Sequence, residues 1–339
     1  MRPLVHPALA RAWRDPATVQ IGLDPARAVV IGGLGPAETV LFRSIDGARD
    51  ERVLRDTATR AGGDAATADR LVDVLRTAGV LVDADRAAPD DPGDVLAPDR
   101  ASLGLLNGSA DGGAAALQTR HRVHVEVHGA GRVGATLARL LCAAGVGRVT
   151  VDDQARASAA DVTPGGLGAH DVGRPRGVAL EAALPCPDDL PGRDDSGQAP
   201  AIVVLAPSRG TARDEAAVLV RAGVTHLVAR VVETTGIVGP LVVPGQTSCL
   251  RCHDLHRTDR DPAWPRILAQ IERDPPGVGA CDVTLAGLVG ALAAQQALAH
   301  VDGFVPTTVD GTVEIRLPGG LPRRRSWRPH PACGCTWPP

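Results

Sequence analysis

A chain of 339 residues is too long for one minimal domain and suits two. Its formal charge of −3 supplies no basic field, which sets aside bulk nucleic-acid binding. The sequence contains no lysine and no tyrosine, so any task usually given to lysine falls to arginine or is absent.

Residues 1–10 carry neither a long apolar run nor a cleavage pattern. No export signal is expected, and the chain is read as cytoplasmic. Residues 1–86 read as one unit. The runs 19–23 and 27–31, broken by Asp24-Pro25, suggest a short hairpin. Helices are expected over 37–45, 49–61 and 65–78; the last places Ala68, Leu71, Val72 and Leu75 on one apolar face and stops at Gly79. Residues 80–82 read as a closing strand. Such a set of elements suggests a small winged-helix-like α+β domain. It holds 12 arginines and 12 acidic residues, so it lacks the basic face a DNA reader needs. Residues 87–119, rich in Ala, Asp, Pro and Gly, read as a linker.

From residue 120 to 339 strand and helix alternate. Strands are expected at 123–127, 148–151, 202–205 and 226–232, with helices at 135–144 and 211–222. Alternation of this kind predicts an α/β fold with a Rossmann-like, doubly wound sheet. Residues 241–243 and 309–317 are expected to extend it, and 184–200 read as a loop. The apolar run 285–301 contains Gln295, Gln296 and His300 and reads as a buried helix, not as a membrane span.

Gly129-Ala130-Gly131-Arg132-Val133-Gly134 falls between the first strand and its helix. In such a loop the first glycine makes the turn, the second admits a phosphate, and the third lets helix and strand pack closely. Asp152 and Asp153 end the next strand, where a carboxylate accepts hydrogen bonds from a ribose. The competing reading is that the glycines serve packing alone.

Seven cysteines without an export signal favour reduced thiols and metal over disulfides. Four form two close pairs, Cys249 with Cys252 and Cys333 with Cys335. Four thiolates make a closed tetrahedral site for structural Zn2+ and leave no open position for catalysis. His253 and His256 are alternative ligands beside the first pair. Cys142 falls mid-helix among apolar residues, and Cys186 falls in the loop without an evident partner.

Residues 121–339 resemble the ThiF/MoeB superfamily of ubiquitin-activating-enzyme-like adenylyltransferases. The resemblance rests on the glycine loop, Asp152-Asp153, the two cysteine pairs in that order, and Gly279-Ala280-Cys281 before an apolar helix. It implies binding of ATP and Mg2+, adenylation of the C-terminal carboxylate of a peptide or ubiquitin-like carrier, structural zinc, and a homodimer. Arg176 occupies the place of the family's phosphate-binding lysine, and Cys281 that of a cysteine able to join covalently to the carrier. Other positions depart from the pattern. The segment 161–166 lacks the family's arginine, and Ser208 stands where a magnesium-linked aspartate is usual. Arg209 and Arg213 are candidates to replace a lost cation. Removing one group that stabilises phosphoryl charge costs on the order of a hundredfold or more in rate. Cys281 would need a lowered pKa to act as a nucleophile; Asp282 opposes that and a helix N-terminus would favour it.

The N-terminal unit resembles PqqD-like modules, which bind an extended leader peptide by adding a strand to a hairpin edge. Two functions follow. One is a binding protein that presents a peptide or carrier to a partner modifying enzyme, with a degenerate adenylation site. The other is an active adenylyltransferase. A nicotinamide-dependent oxidoreductase fits less well, because no catalytic acid is evident and the cysteine pairs are unexplained. Neither a nucleic-acid nor a membrane partner is expected.

Overall fold

The computed structural model describes residues 1–88, 91, 93–184, 199–273 and 279–336. They divide into two compact units, Met1–Thr119 and Arg120–Pro339.

In the first unit, β1 (Pro3–Val5) pairs antiparallel with β5 (Leu81–Asp83). A three-stranded antiparallel sheet joins β2 (Arg11–Asp15), β3 (Thr18–Ile21) and β4 (Val29–Ile31) in that order. The expected hairpin is β3–β4. Strand β2 escaped the sequence because all five of its side chains are exposed, so it has no apolar alternation. Helices α1 (Pro36–Arg43), α2 (Glu51–Arg60) and α3 (Ala65–Thr77) start at recognisable signals. Asp50 accepts from the Val53 amide, and Asp64 forms a capping box with Thr67. Val5, Val19, Ile21, Leu41, Ile45, Leu54 and Leu75 close the core.

The stretch 87–119 is not a linker. It carries α4 (Ala97–Asn107) and α5 (Ala114–His121). Pro98 begins α4 and Gly108, with φ of 58°, ends it. Between those stops lie Ala, Leu and Ser, and Leu103 is buried. The Pro and Gly content that suggests a flexible spacer here marks helix ends.

In the second unit a seven-stranded mixed sheet has the order β12-β11-β10-β9-β8-β6-β7. Its parallel part is β7 (Arg148–Asp152), β6 (His124–His128), β8 (Ile202–Leu205) and β9 (His226–Val232). The chain leaves β6 toward β7 and later returns to its other side as β8. That reversal opens a crevice at the C-terminal ends of β6 and β8, where such sheets bind ligands. Strands β10 (Thr235–Val242), β11 (Gly311–Arg316) and β12 (Pro322–Ser326) extend the sheet antiparallel. Strand β12 is wholly exposed and was not anticipated.

Helices α6 (Arg132–Ala143) and α11 (Val283–Val301) share one apolar core with the strands. At their crossing, a Cβ on Gly290 would lie 3.0 Å from the Val133 carbonyl oxygen, so glycine sets the approach. Leu285, Val289, Ala293 and Ala297 of α11 are buried, which makes it the expected core helix although its length and apolarity would suit a membrane span. Arg120 grips Asp302 with two hydrogen bonds of 2.7 and 2.6 Å in a buried pair beyond the end of α11. Helix α7 (Arg176–Glu181) follows β7. Helices α8 (Arg213–Arg221), α9 (Leu250–Arg260) and α10 (Trp264–Arg273) complete the unit. Ala216 of α8 and Leu250 of α9 pack with Val203, Leu205 and Val228 in a second cluster.

Candidate functional site

The glycine loop lies at the crevice. Gly129 has φ of 107°, a conformation glycine favours, and a Cβ there would fall 2.2 Å from the Ala206 carbonyl oxygen. A Cβ on Gly134 would lie 1.8 Å from the Gly129 oxygen. Both glycines are therefore required by packing alone. Gly131 differs, because its missing Cβ faces the Ser208 Oγ at 2.2 Å and an Arg176 nitrogen at 3.7 Å. No side chain caps α6, so its N-terminal amides point at the crevice.

The two aspartates divide their work. Asp152 is exposed at the end of β7, where the Gln154 amide reaches it at 3.4 Å. Asp153 is buried and structural: it accepts from the Ala130 amide at 2.7 Å and the Ala155 amide at 2.9 Å. It also pairs with Arg176 at 2.9 Å. Arg176 begins α7 and pairs in addition with Asp161 at 3.2 Å. Burial works to raise the Asp161 carboxyl. Hydrogen bonds from the Ser158 amide and hydroxyl, with the charge of Arg176, prevail and hold it below the usual carboxylate value. Arg132 turns its guanidinium to the carbonyls of Ala160, at 2.6 Å, and Cys281, at 2.8 Å. Arg213 does not replace a lost cation at the loop. It is held by Asp254 at 2.6 and 2.9 Å.

Cys281 stands next to Asp282, the N-cap of α11. The Asp282 carboxylate accepts from the Thr284 and Leu285 amides. The helix N-terminus expected to favour a thiolate is thus already satisfied. Burial and the Asp282 charge raise the Cys281 thiol above its ordinary value, against the opposing charge of Arg132.

A feature that sequence reasoning missed lies one residue before the loop. His128 ends β6, with Glu126 at 2.9 Å from one ring nitrogen and Glu215, in the first turn of α8, against the other. Burial alone would lower this imidazole, but hydrogen bonds and charge from both glutamates raise it to about 9. Strand alternation puts Glu126 and His128 on one face and gives half of the signal. Glu215 is 87 residues away and only folding brings it there.

The two cysteine pairs meet. The Cys249 and Cys252 sulfurs lie 4.0 Å apart, Cys249 and Cys333 3.6 Å, and Cys252 and Cys335 3.3 Å. All four fall within 4.8 Å of one another. A tetrahedron with metal–sulfur bonds of about 2.3 Å needs sulfurs about 3.8 Å apart, so the set fits one ion. Cys249 caps α9 and Cys252 lies in its first turn. The Cys249 thiol donates to Cys252, and with the His330 amide at 3.3 Å this lowers the Cys252 thiol against its burial. The histidines are not ligands of this set. His253 is buried and stacked on Trp327 at 4.5 Å, and burial followed by the charge of Arg257 lowers it to about 3. The His256 Nε2 faces the Arg328 carbonyl oxygen at 2.9 Å. Cys142 is buried in α6 and disulfide-bonded, against the expectation of reduced thiols throughout, and Cys186 lies outside the described residues.

No protein-family model and no curated protein matches the sequence. Solved structures do. The structure of E. coli MccB with AMPCPP and MccA aligns over 99% of both chains, with a TM-score of 0.73 and 15% identity. The chain shares its fold with MccB. E. coli MccB with ATP gives a TM-score of 0.70 at 16% identity over 99% of both chains. The heterocyclase TruD gives 0.63 at 14% identity, with 99% of this chain covering 42% of that one. The likeness to MccB spans both units. It supports, at the level of fold, the expectation drawn from the glycine loop and cysteine pairs.

Proposed function

We propose that this protein binds a peptide or carrier protein and presents it to a partner modifying enzyme, with its adenylation site degenerate. The carrying observation is the state of the cations at the glycine loop. Arg176 is shared by Asp153 and Asp161, Arg132 is turned to two carbonyls, and the position after β8 is Ser208 with its hydroxyl against Gly131. A triphosphate with magnesium needs positive charge and a carboxylate for the metal, and catalysis of its transfer is chiefly electrostatic. Peptide binding is supported by the full-length likeness to MccB in complex with MccA. In this reading the first unit is the PqqD-like module, and the exposed edge strand β2 takes the peptide as an added strand. The four-cysteine site, whose thiols are free of disulfides, holds structural zinc.

A second reading, an active adenylyltransferase acting on a peptide or carrier carboxylate, is favoured by one observation. Asp152 is exposed beside an uncapped α6 N-terminus, where a ribose and phosphates would lie. Pyrophosphate exchange with ATP and Mg2+, measured on the full chain, separates the two. We expect no exchange above background. Exchange at a rate typical of activating enzymes overturns the first reading.

A further inference from the structure

Strand β2 lies at the edge of its sheet and pairs with β3, with Arg11 opposite Ile21, Ala12 opposite Gln20 and Trp13 opposite Val19. Among the described residues no strand joins its outer side, so a row of backbone donors and acceptors is left for a partner. Cross-strand neighbours share a face, which puts Arg11 and Trp13 on the side of the buried Val19 and Ile21. Trp13 meets the last turn of α1 there. Its ring stands edge-on to Phe42 with centroids 5.9 Å apart, and the Arg43 guanidinium lies over it at 5.3 Å. Val40 stands one turn before Arg43 on the same helix. Even so, Trp13 remains 36% exposed and Val40 46%. Tryptophan and arginine are over-represented among the side chains that carry binding energy at interfaces.

The fixed charge at this edge has one sign. Among the described residues no carboxylate pairs with Arg11 or Arg43. The acids on the same two elements serve elsewhere. Asp15 accepts from the Ala17 amide at 2.8 Å, and Glu38 stands in the first turn of α1, at the far end from Arg43. The unit as a whole balances its arginines with acids, so these cations make a local feature and not a field for a nucleic-acid backbone. A free strand edge with an open aromatic ring and two unpaired arginines matches an extended polypeptide that brings its own carboxylates.

We propose that the peptide added to β2 is an acidic one, read by Trp13, Arg43 and Arg11. This names the class of peptide for the site assigned above and rests on that assignment. Side chains two positions apart in an added strand face the same way, so the motif on the α1 side is an acidic residue at i and an apolar one at i+2, in either order. The carboxylate pairs with an arginine, and the apolar group packs on Trp13 and Val40. The Arg43 plane can stay over the indole while its edge donors hold the carboxylate.

The experiment screens the full chain against a phage-displayed library of short random peptides. Selected sequences are synthesised with a fluorophore, and anisotropy reads their affinity. Enrichment in Asp and Glu with an apolar residue two positions away is expected. Trp13→Ala and Arg43→Glu are each expected to bind the selected peptides about tenfold or more weakly. Arg43 is exposed, so its variant serves even where Trp13→Ala fails to fold. Screening Arg43→Glu afresh is expected to move the preference from acidic toward basic residues. Peptides selected without acidic preference overturn the proposal and leave peptide binding intact. So does unchanged affinity in Arg43→Glu. If the wild type selects no peptide at all, the peptide-binding function itself fails, and this proposal with it.

Discussion

Replacing His128 by glutamine removes the charge between Glu126 and Glu215 while keeping a polar side chain. In the folded protein the two carboxylates raise this imidazole from its ordinary 6.5 to about 9. Folding therefore raises its proton affinity, and the favourable contribution is complete below about pH 6.5. It declines as pH rises and is gone once pH passes about 9. A tenfold change in proton affinity is about 1.4 kcal/mol, so the upper bound is about 3 kcal/mol. The Glu215 side chain is 43% exposed, and solvent screens a pair of that kind. The working expectation is therefore about 1–2 kcal/mol. Urea unfolding at pH 6.5, 8 and 9.5, followed by circular dichroism, checks it. The stability gap between wild type and His128→Gln should be widest at pH 6.5 and vanish at pH 9.5. A gap that stays constant, or grows with pH, refutes the Glu–His–Glu assignment. It would mean that the ring acts through packing and not through charge.

The four-cysteine site makes a second expectation. Cys333→Ser should reduce bound metal from about one ion per chain to near none by elemental analysis, with a marked fall in melting temperature. Full metal content in the variant would show that the pairs do not share an ion. Asp302→Ala leaves Arg120 buried without its carboxylate and should cost about 3–5 kcal/mol in denaturant unfolding. A loss below about 1 kcal/mol would show that water reaches the pair.

The parts of this protein legible in its sequence are those whose causes are local. The glycine loop announces itself because turn, approach and helix start fall within six residues, 129–134. The cysteine pairs do so because each needs only one turn of backbone. Helices α2 and α3 are framed by Asp50 and Asp64, whose capping chemistry lies within three residues. Strands β2 and β12 were invisible for one shared reason: they lie at sheet edges with every side chain exposed, and their pairing comes from backbone groups that carry no residue code. Helix α4 was misread because Pro and Gly serve spacers and helix ends alike. The site charges were the least legible. Arg176 could be placed by its resemblance, but its two carboxylate partners, 15 and 23 residues away, decide what that cation is free to do. His128 and Arg120 likewise take their meaning from groups that only the tertiary fold brings near.

The two cysteine pairs stand 84 and 83 residues apart across their sulfur contacts. An ion joining them closes a ring through the backbone, and inside that ring lie α10, α11, β11 and β12. A covalent link of that span would remove about 4–5 kcal/mol of chain freedom from the unfolded ensemble. A coordination link acts in the same sense for as long as the ion stays. The metal then secures more than the turn around it. It governs how readily the last quarter of the chain, including the helix that fills the centre of the core, can come away from the sheet.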